Sequence, residues 1–126
     1  MKKVIFSDEA PEPLGVYSQG MVGGGFIFIS GQLPISPKAN KFVEPDIKKQ
    51  TRQVLKNIEK ILAVKGASLK DILKISAFLR SLDNFKEMNE VFKEFFSIEP
   101  PARTTSTVKE FPPGVLIEVD VIALKP

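Results

Sequence analysis

The chain has 126 residues, a mass of 14.0 kDa and a formal net charge of +3, which is the size of one ordinary domain spanning residues 1–126. It contains no His and no Cys, which excludes disulfide bonds, a thiol nucleophile, a Ser-His-Asp triad, a His general base and the usual His/Cys zinc site. Any catalysis must therefore use carboxylates, hydroxyls, Lys, Arg or backbone groups, and the modest basic charge permits contact with nucleic acid without arguing for it.

The first part of the chain predicts a short strand, a loop and a β-hairpin. Val4–Phe6 is an apolar run typical of an edge strand, and the prolines of residues 10–15 prevent regular strand pairing. Tyr17–Val22 and Phe26–Ile29 flank three consecutive glycines, which favours a hairpin that turns on residues free to adopt positive φ. Three prolines make residues 31–45 a predicted loop.

An amphipathic helix is predicted over Asp46–Lys65, with Gly66 as its stop. Apolar residues recur on one face at helical spacing, and basic residues recur every four positions on the other, at Lys48, Arg52, Lys56 and Lys60. We interpret this basic stripe as a solvated helix face, with a contact to nucleic acid as the alternative.

The second half predicts one strand before a second helix and two strands after it. Ile72–Leu79 is rich in strand-forming residues, a helix is predicted from an Asp83 N-cap to Phe96, and strands are predicted over Ala102–Val108 and Val115–Leu124. We interpret the apolar stripe of the second helix as core; its members are Phe85, Met88, Val91, Phe92, Phe95 and Phe96. The order β-ββ-α-β-α-ββ predicts an α+β fold in which two helices pack on one face of a mixed β-sheet.

Two acids stand in the last predicted strand. Glu118 and Asp120 are two residues apart, so their side chains point to the same face of the sheet. The alternate positions are apolar and suit the helix-covered face, whereas the acid-bearing face also carries Leu116, Ile122 and Leu124. This mixed face is either exposed or buried against another subunit, and the acids either form salt bridges across the sheet or have a functional role.

Arg103 is the second candidate for a functional side chain. It is one of only three Arg in the chain and opens a predicted strand directly after Pro-Pro-Ala. Its planar fork matches a carboxylate or a phosphate, which Lys cannot imitate. The alternative is an ordinary ion pair at the edge of a strand. Tyr17, Ser30 and Gly31, at the ends of the predicted hairpin, are weak signals when taken singly.

The motifs taken together resemble the RidA family, the reactive intermediate deaminases, also called YjgF-like proteins and once labelled endoribonucleases or translation inhibitors. The resemblance covers essentially the whole chain and rests on five motifs in the family's order and spacing: Gly15-Val-Tyr-Ser-Gln19, Ser30-Gly-Gln-Leu-Pro34, Asn84-Phe85 with Asn89, Pro101-Ala-Arg-Thr104 and Ile117-Glu-Val119. The most specific of them is Pro-Ala-Arg, followed fifteen residues after the Arg by an acid in an apolar strand.

The resemblance implies a chorismate-mutase-like fold that assembles into a homotrimer with a cleft at each of three subunit interfaces. It implies a deaminase that hydrolyses 2-enamine and 2-imine acids, such as 2-aminoacrylate, 2-iminopropanoate and 2-iminobutanoate, to 2-keto acids and ammonia. The implied reaction uses no cofactor and no metal. The reactive substrates come from pyridoxal-phosphate dehydratases, so the natural partner is a small-molecule imine or keto acid.

Residue matching to the family assigns the implied roles. Arg103 corresponds to the Arg that binds the substrate carboxylate and Glu118 to the acid that orients the attacking water. Thr105 stands where many members have Cys, a position at which backbone groups matter most. The expected substrate-binding residues are therefore Tyr17, Ser30, Gly31, Asn89 and Thr105.

Two other functions are weighed against the deaminase. A non-catalytic regulatory module that binds small acids could use the same Arg103 anchor. An RNA-acting protein or translation inhibitor is disfavoured because no His is present and the aromatic residues follow core periodicity. The sequence has no stretch as long as a membrane span, so we expect a cytoplasmic protein without membrane or nucleic-acid partners.

Overall fold

The computed structural model describes all 126 residues, which form eight strands and two helices in the predicted order, with two short strands added. The strands are β1 (Lys3–Ile5), β2 (Gly20–Gly23), β3 (Phe26–Gln32), β4 (Ile35–Ser36), β5 (Lys41–Phe42), β6 (Ile72–Leu79), β7 (Ala102–Thr107) and β8 (Ile117–Leu124), and the helices are α1 (Ile47–Ala63) and α2 (Phe85–Phe95).

Six of the strands form one sheet in the order β1-β2-β3-β8-β6-β7. The neighbours β6 and β7 are parallel and are joined by α2, while the other neighbouring pairs are antiparallel. Both helices pack on the same face of this mixed sheet, which confirms the predicted α+β architecture. The other face of the sheet is left without a covering element.

The helix-covered face holds the core because α1 and β8 each present an apolar side to it. In α1 the side chains of Val54, Leu55 and Ile58 are fully buried, and every second residue of β8 from Ile117 to Ala123 is buried with them. The carboxylate of Asp46, the first residue of the predicted helix, accepts a hydrogen bond from the Lys49 N–H and caps α1. Neither helix is long and apolar enough to cross a membrane.

The second helix begins later than the sequence predicts. A short 3-10 turn over Leu82–Asn84, capped by Ser81, precedes α2, so Asn84 rather than Asp83 stands at the N-cap position. Asp83 donates its backbone N–H to the Ser81 hydroxyl, and its own side chain caps nothing. The prediction missed this turn because Ser81 and Asp83 are both good capping residues and only the path of the chain decides between them.

Two predictions about the loops and strands of the first half need correction. The first arm of the hairpin begins at Gly20, so Tyr17 precedes it, and the second arm, β3, runs on to Gln32. The predicted loop of residues 31–45 contains β4 and β5, which pair with each other as a small separate sheet. Pro34 and Pro37 lie beside β4 rather than in it, so they did not prevent the pairing.

The basic stripe of α1 is an ion-paired surface. Lys48 lies 2.6 Å from the Glu90 carboxylate and Arg52 lies 2.8 Å from that of Glu94, both on α2. Lys60 lies 3.5 Å from the Glu9 carboxylate. Three of the four basic side chains therefore already have an acidic partner, two of them linking α1 to α2.

Candidate functional site

The predicted site residues fall into two groups on opposite faces of the sheet. Arg103 in β7 pairs with Ile75 in β6, whose side chain is buried under the helices. Glu118 in β8 pairs with Phe78 in β6. Because Ile75 and Phe78 are three residues apart in one strand, their side chains point to opposite faces. Arg103 therefore lies on the helix side of the sheet and Glu118 on the open side.

The helix-side group consists of Arg103, Asn89 and Thr105. Arg103 and Asn89 line an open groove of about 710 Å³ between the start of β7 and the exposed side of α2, which we call the arginine groove. Thr105 pairs with Ala77 and lies farther along the same face of β7. The guanidinium carbon of Arg103 lies 5.1 Å from the ring centroid of Phe92 and 5.6 Å from that of Phe85, both within the range of cation–π contacts.

Arg103 is the one Arg without a hydrogen-bond partner for its side chain. Arg52 is bidentate with Glu94, and Arg80 donates to backbone carbonyls of the loop before β8. The acid in the arginine groove, Glu90, is already paired with Lys48. The alternative of an ordinary ion pair for Arg103 is therefore wrong. Burial lowers the pKa of the Arg103 guanidinium, as expected for a cation without an acidic partner.

The open-face group consists of Glu118, Gly31, Ser30 and Tyr17. A bulge in β3 between Ile29 and Gln32 brings Gly31 against Glu118, so closely that a Cβ on Gly31 would lie 2.8 Å from Glu118 Cδ. Gly31 and Tyr17 line one narrow cleft. We call the surface formed by Glu118, Gly31, Ser30 and Tyr17 the carboxylate face.

Ser30 and Tyr17 are held by contacts with the backbone. The Ser30 hydroxyl donates a hydrogen bond to the Ser18 carbonyl at 2.6 Å, and the Tyr17 hydroxyl accepts one from the Leu14 N–H at 3.0 Å. Ser30 therefore fixes the segment that carries Tyr17, while its oxygen remains able to accept a further hydrogen bond.

Gln19 is a supporting residue that the sequence did not single out beyond its place in a motif. It is buried, and its amide nitrogen donates to the carbonyls of Ser7 and Pro11 at 3.0 and 2.8 Å while its oxygen accepts from the Ser7 N–H. It thus ties the proline-containing loop to the start of β2, with Tyr17 between them. A buried amide cannot be told from an exposed one in the sequence of a loop, so only its place in the motif pointed to it.

The electrostatics of the carboxylate face suit proton transfer. Burial raises the pKa of Glu118, and the nearby negative charge of Asp120 raises it further. Burial also raises the pKa of Asp120, an effect that a hydrogen bond from Ser76 partly offsets. Neither acid has a Lys or Arg within ion-pair distance, so the predicted alternative of a salt bridge across the sheet is wrong. A carboxyl group with a raised pKa can both accept and return a proton.

Within one chain, therefore, the unpaired guanidinium of Arg103 and the carboxylate of Glu118 lie on opposite sides of the sheet. The first can bind a small anion, and the second can orient and deprotonate a water molecule. No group of three or more acidic side chains is arranged to hold a metal ion.

Comparison with known proteins places the chain in a family. Residues 7–125 match the family model described as endoribonuclease L-PSP. The chain is 49% identical over 125 residues to a RutC family protein of Pyrococcus horikoshii, with 99% of each chain covered. It is 32% identical to the 2-iminobutanoate/2-iminopropanoate deaminase of Dermatophagoides farinae, covering 98% of this chain and 96% of that protein.

Solved structures agree with the sequence relatives. RidA from an Antarctic Psychrobacter superposes with a TM-score of 0.92 at 36% identity, covering 97% of this chain and 98% of that one. TdcF of E. coli, solved with bound serine, also gives a TM-score of 0.92, at 34% identity and with 98% and 99% covered. Sequence and fold agree over nearly the whole length, so the chain belongs to the RidA family.

Proposed function

We propose that the protein is a 2-iminobutanoate/2-iminopropanoate deaminase, which hydrolyses reactive enamine and imine acids to 2-keto acids and ammonia. The observation that carries the proposal is the half-buried guanidinium of Arg103, which opens onto a groove and has no acidic partner. A relative covered over almost its whole length bears the name of this activity.

The chemistry needs little from the protein. The C2 carbon of a protonated imine is already electrophilic, so the reaction requires an anchor for the substrate, a placed water and a proton carrier. Arg103 holds the substrate carboxylate through two parallel N–H donors. Glu118 accepts a proton from water as the C2–O bond forms, and returns it to the nitrogen. The C2–N bond then breaks as the C2 hydroxyl gives its proton to Glu118 and becomes the carbonyl, which leaves the 2-keto acid and ammonia.

A homotrimer with a cleft at each of its three interfaces would unite the two groups. In each cleft the arginine groove of one subunit, with Asn89 and Thr105, would face the carboxylate face of the next. The open face of the sheet supports this, because it exposes apolar side chains that monomers seldom leave uncovered, among them Phe28, which is 46% exposed. Tyr17, Ser30 and Gly31 would then line the substrate site beside Glu118.

The test is a coupled assay with threonine dehydratase, which generates the imine, and with semicarbazide as a competing trap for it. The wild-type protein should accelerate the formation of the 2-keto acid. Arg103→Ala should lower kcat/KM by about 10²-fold, since the substrate loses its positioning anchor. Lys56→Ala is the matched control, because it removes an exposed cation of α1 that lies outside both groups. No acceleration by the wild type, or equal acceleration by Arg103→Ala, would refute the proposal.

A non-catalytic module that binds small acids is the second candidate. It is favoured by one feature, that the arginine groove is complete as an anion-binding surface without Glu118. Tight binding of 2-oxobutanoate by a wild type that leaves the coupled reaction unchanged would select this function.

A further inference from the structure

We propose that Phe85 and Phe92 are positioning residues, which hold the Arg103 guanidinium in place for an incoming carboxylate while leaving its N–H groups free. The identity of that carboxylate, a 2-imino acid, rests on the proposed function; the positioning role itself rests on the contacts of the groove.

The guanidinium is held only by these rings. The guanidinium carbon lies 5.6 Å from the centroid of Phe85 and 5.1 Å from that of Phe92, and the Arg103 side chain makes no hydrogen bond and no ion pair. A long side chain without polar partners would sample several rotamers, and ordering it on binding would cost affinity. Two aromatic faces within cation–π distance restrict that freedom before the ligand arrives.

A ring is a better support here than a carboxylate. Arg52 shows the alternative, because both of its hydrogen bonds to Glu94 consume the donors that would recognise an anion. A carboxylate beside Arg103 would likewise accept hydrogen bonds from its guanidinium N–H groups and neutralise its charge. An aromatic face attracts the cation through its quadrupole and offers no competing acceptor in the plane of the N–H groups.

The two rings are fixed to different degrees. Phe92 is 6% exposed, belongs to the core and packs against the ring of Phe96 with centroids 5.7 Å apart. Phe85 is the first residue of α2 and is 37% exposed at the groove. Interpreting the apolar stripe of α2 as core alone is therefore incomplete, since two of its rings also support the guanidinium. Phe85 can be altered with little loss of packing.

The experiment measures binding of 2-oxobutanoate, a stable carboxylate, by calorimetry, and runs steady-state kinetics in the dehydratase assay. Phe85→Leu should weaken binding and raise KM by about 3- to 10-fold, the range of one cation–π contact. The value of kcat should stay unchanged, because the carboxylate is held equally in the ground and transition states. Phe85→Tyr keeps a ring face and should retain wild-type affinity.

Phe95→Leu is the matched control, since it makes the same change on α2 in a ring that contacts neither Arg103 nor the groove. Phe92→Leu should weaken binding as Phe85→Leu does, with thermal unfolding run alongside because this ring is buried. Wild-type affinity in Phe85→Leu and Phe92→Leu would overturn the inference, as would a loss confined to kcat. Should the wild type bind 2-oxobutanoate but fail to hydrolyse the imine, weaker binding by Phe85→Leu would still support the positioning role while the proposed function fails.

Discussion

At the scale of single residues, Gly31 matters because its lack of a side chain leaves room for the Glu118 carboxylate. A Cβ at this position would lie 2.8 Å from Cδ of Glu118 and 3.2 Å from its Cγ. The atoms in the way belong to a flexible side chain, so Gly31→Ala should change the free energy of unfolding by less than about 1 kcal/mol. The carboxylate would be displaced, however, and we expect kcat to fall by about 10- to 100-fold because the water is no longer placed.

Gly23→Ala is the matched control for this substitution. Gly23 ends β2 at the hairpin, and a Cβ there would meet no atom within 4 Å. Steady-state kinetics and denaturant unfolding of both variants separate a displaced carboxylate from a damaged fold. An unchanged kcat in Gly31→Ala would show that the position of the Glu118 carboxylate does not matter for the reaction.

In the proposed reaction, Asp120 raises the pKa of Glu118 without itself accepting the proton. Glu118 must be ionised to take a proton from water, so activity should fall as the pH drops through its raised pKa. Asp120→Asn removes one of the two causes of that raised pKa and keeps an acceptor for the Ser76 hydroxyl. The acidic limb of log kcat against pH should therefore move to lower pH, although burial still holds the pKa of Glu118 above its ordinary value.

Asp8→Asn is the control for the pH profile, because it removes a negative charge from an exposed loop residue. Its acidic limb should coincide with that of the wild type. A limb that stays in place or moves to higher pH in Asp120→Asn would contradict electrostatic coupling between the two acids.

At the scale of elements, Gln50 fastens the start of β8 to α1. Its side chain is fully buried, donates to the carbonyls of Gly114 and Val43 at 2.8 and 3.0 Å, and accepts from the Leu116 N–H at 2.8 Å. Gln50→Leu would leave these partly buried backbone groups without their protein partner, and we expect the free energy of unfolding in urea to fall by about 1–3 kcal/mol.

The control for Gln50 lies one turn along the same helix. Gln53 makes one side-chain hydrogen bond, to Asn57, so Gln53→Leu should destabilise the protein much less. Equal losses in the free energy of unfolding would show that a Gln-to-Leu change anywhere on this part of α1 has the same effect. The hydrogen bonds from Gln50 to the segment before β8 would then not be stabilising.

Elements whose own residues show a clear hydrophobic periodicity could be predicted from the sequence. Elements that form only because one segment pairs with another could not. The apolar face of α1 and the alternation in β8 follow from the spacing of neighbouring residues, and both are confirmed. The start of α2 depends on a 3-10 turn capped by Ser81, which the sequence alone does not favour over a helix capped by Asp83. The small β4–β5 sheet depends on two segments that carry no periodicity of their own.

The candidate site shows the same division. The residues alone singled out Arg103, Glu118, Tyr17, Ser30 and Gly31, while the resemblance to the family supplied Asn89, Thr105 and the roles. The alternation in β8 correctly predicted that Glu118 lies on the face away from the helices. The face of Arg103 could not be predicted, because it is set by the parallel register of β7 against β6 and a slip of one residue would exchange the two faces.

At the scale of the whole molecule, separation of the two groups makes assembly a condition for the proposed activity. A trimer should elute near 42 kDa, three times 14.0 kDa, in size-exclusion chromatography. A variant with a charge on the open face, Phe28→Glu, should run as a monomer and lose the deaminase activity, because Phe28 lies on the exposed side of β3. Full activity in a monomeric fraction would contradict a site shared between subunits.

The sharing can be tested more directly by mixing two inactive variants. Arg103→Ala lacks the anchor but keeps Glu118, and Glu118→Gln keeps the anchor but lacks the carboxylate. If each site takes one residue from each of two neighbouring subunits, random exchange in an equal mixture should restore about one quarter of the wild-type activity, because about one interface in four pairs two intact halves. The double variant, taken through the same exchange with either single variant, should restore none. If one chain supplied both residues, no mixture could contain an intact site, so an absence of recovery after verified exchange would rule out the shared cleft.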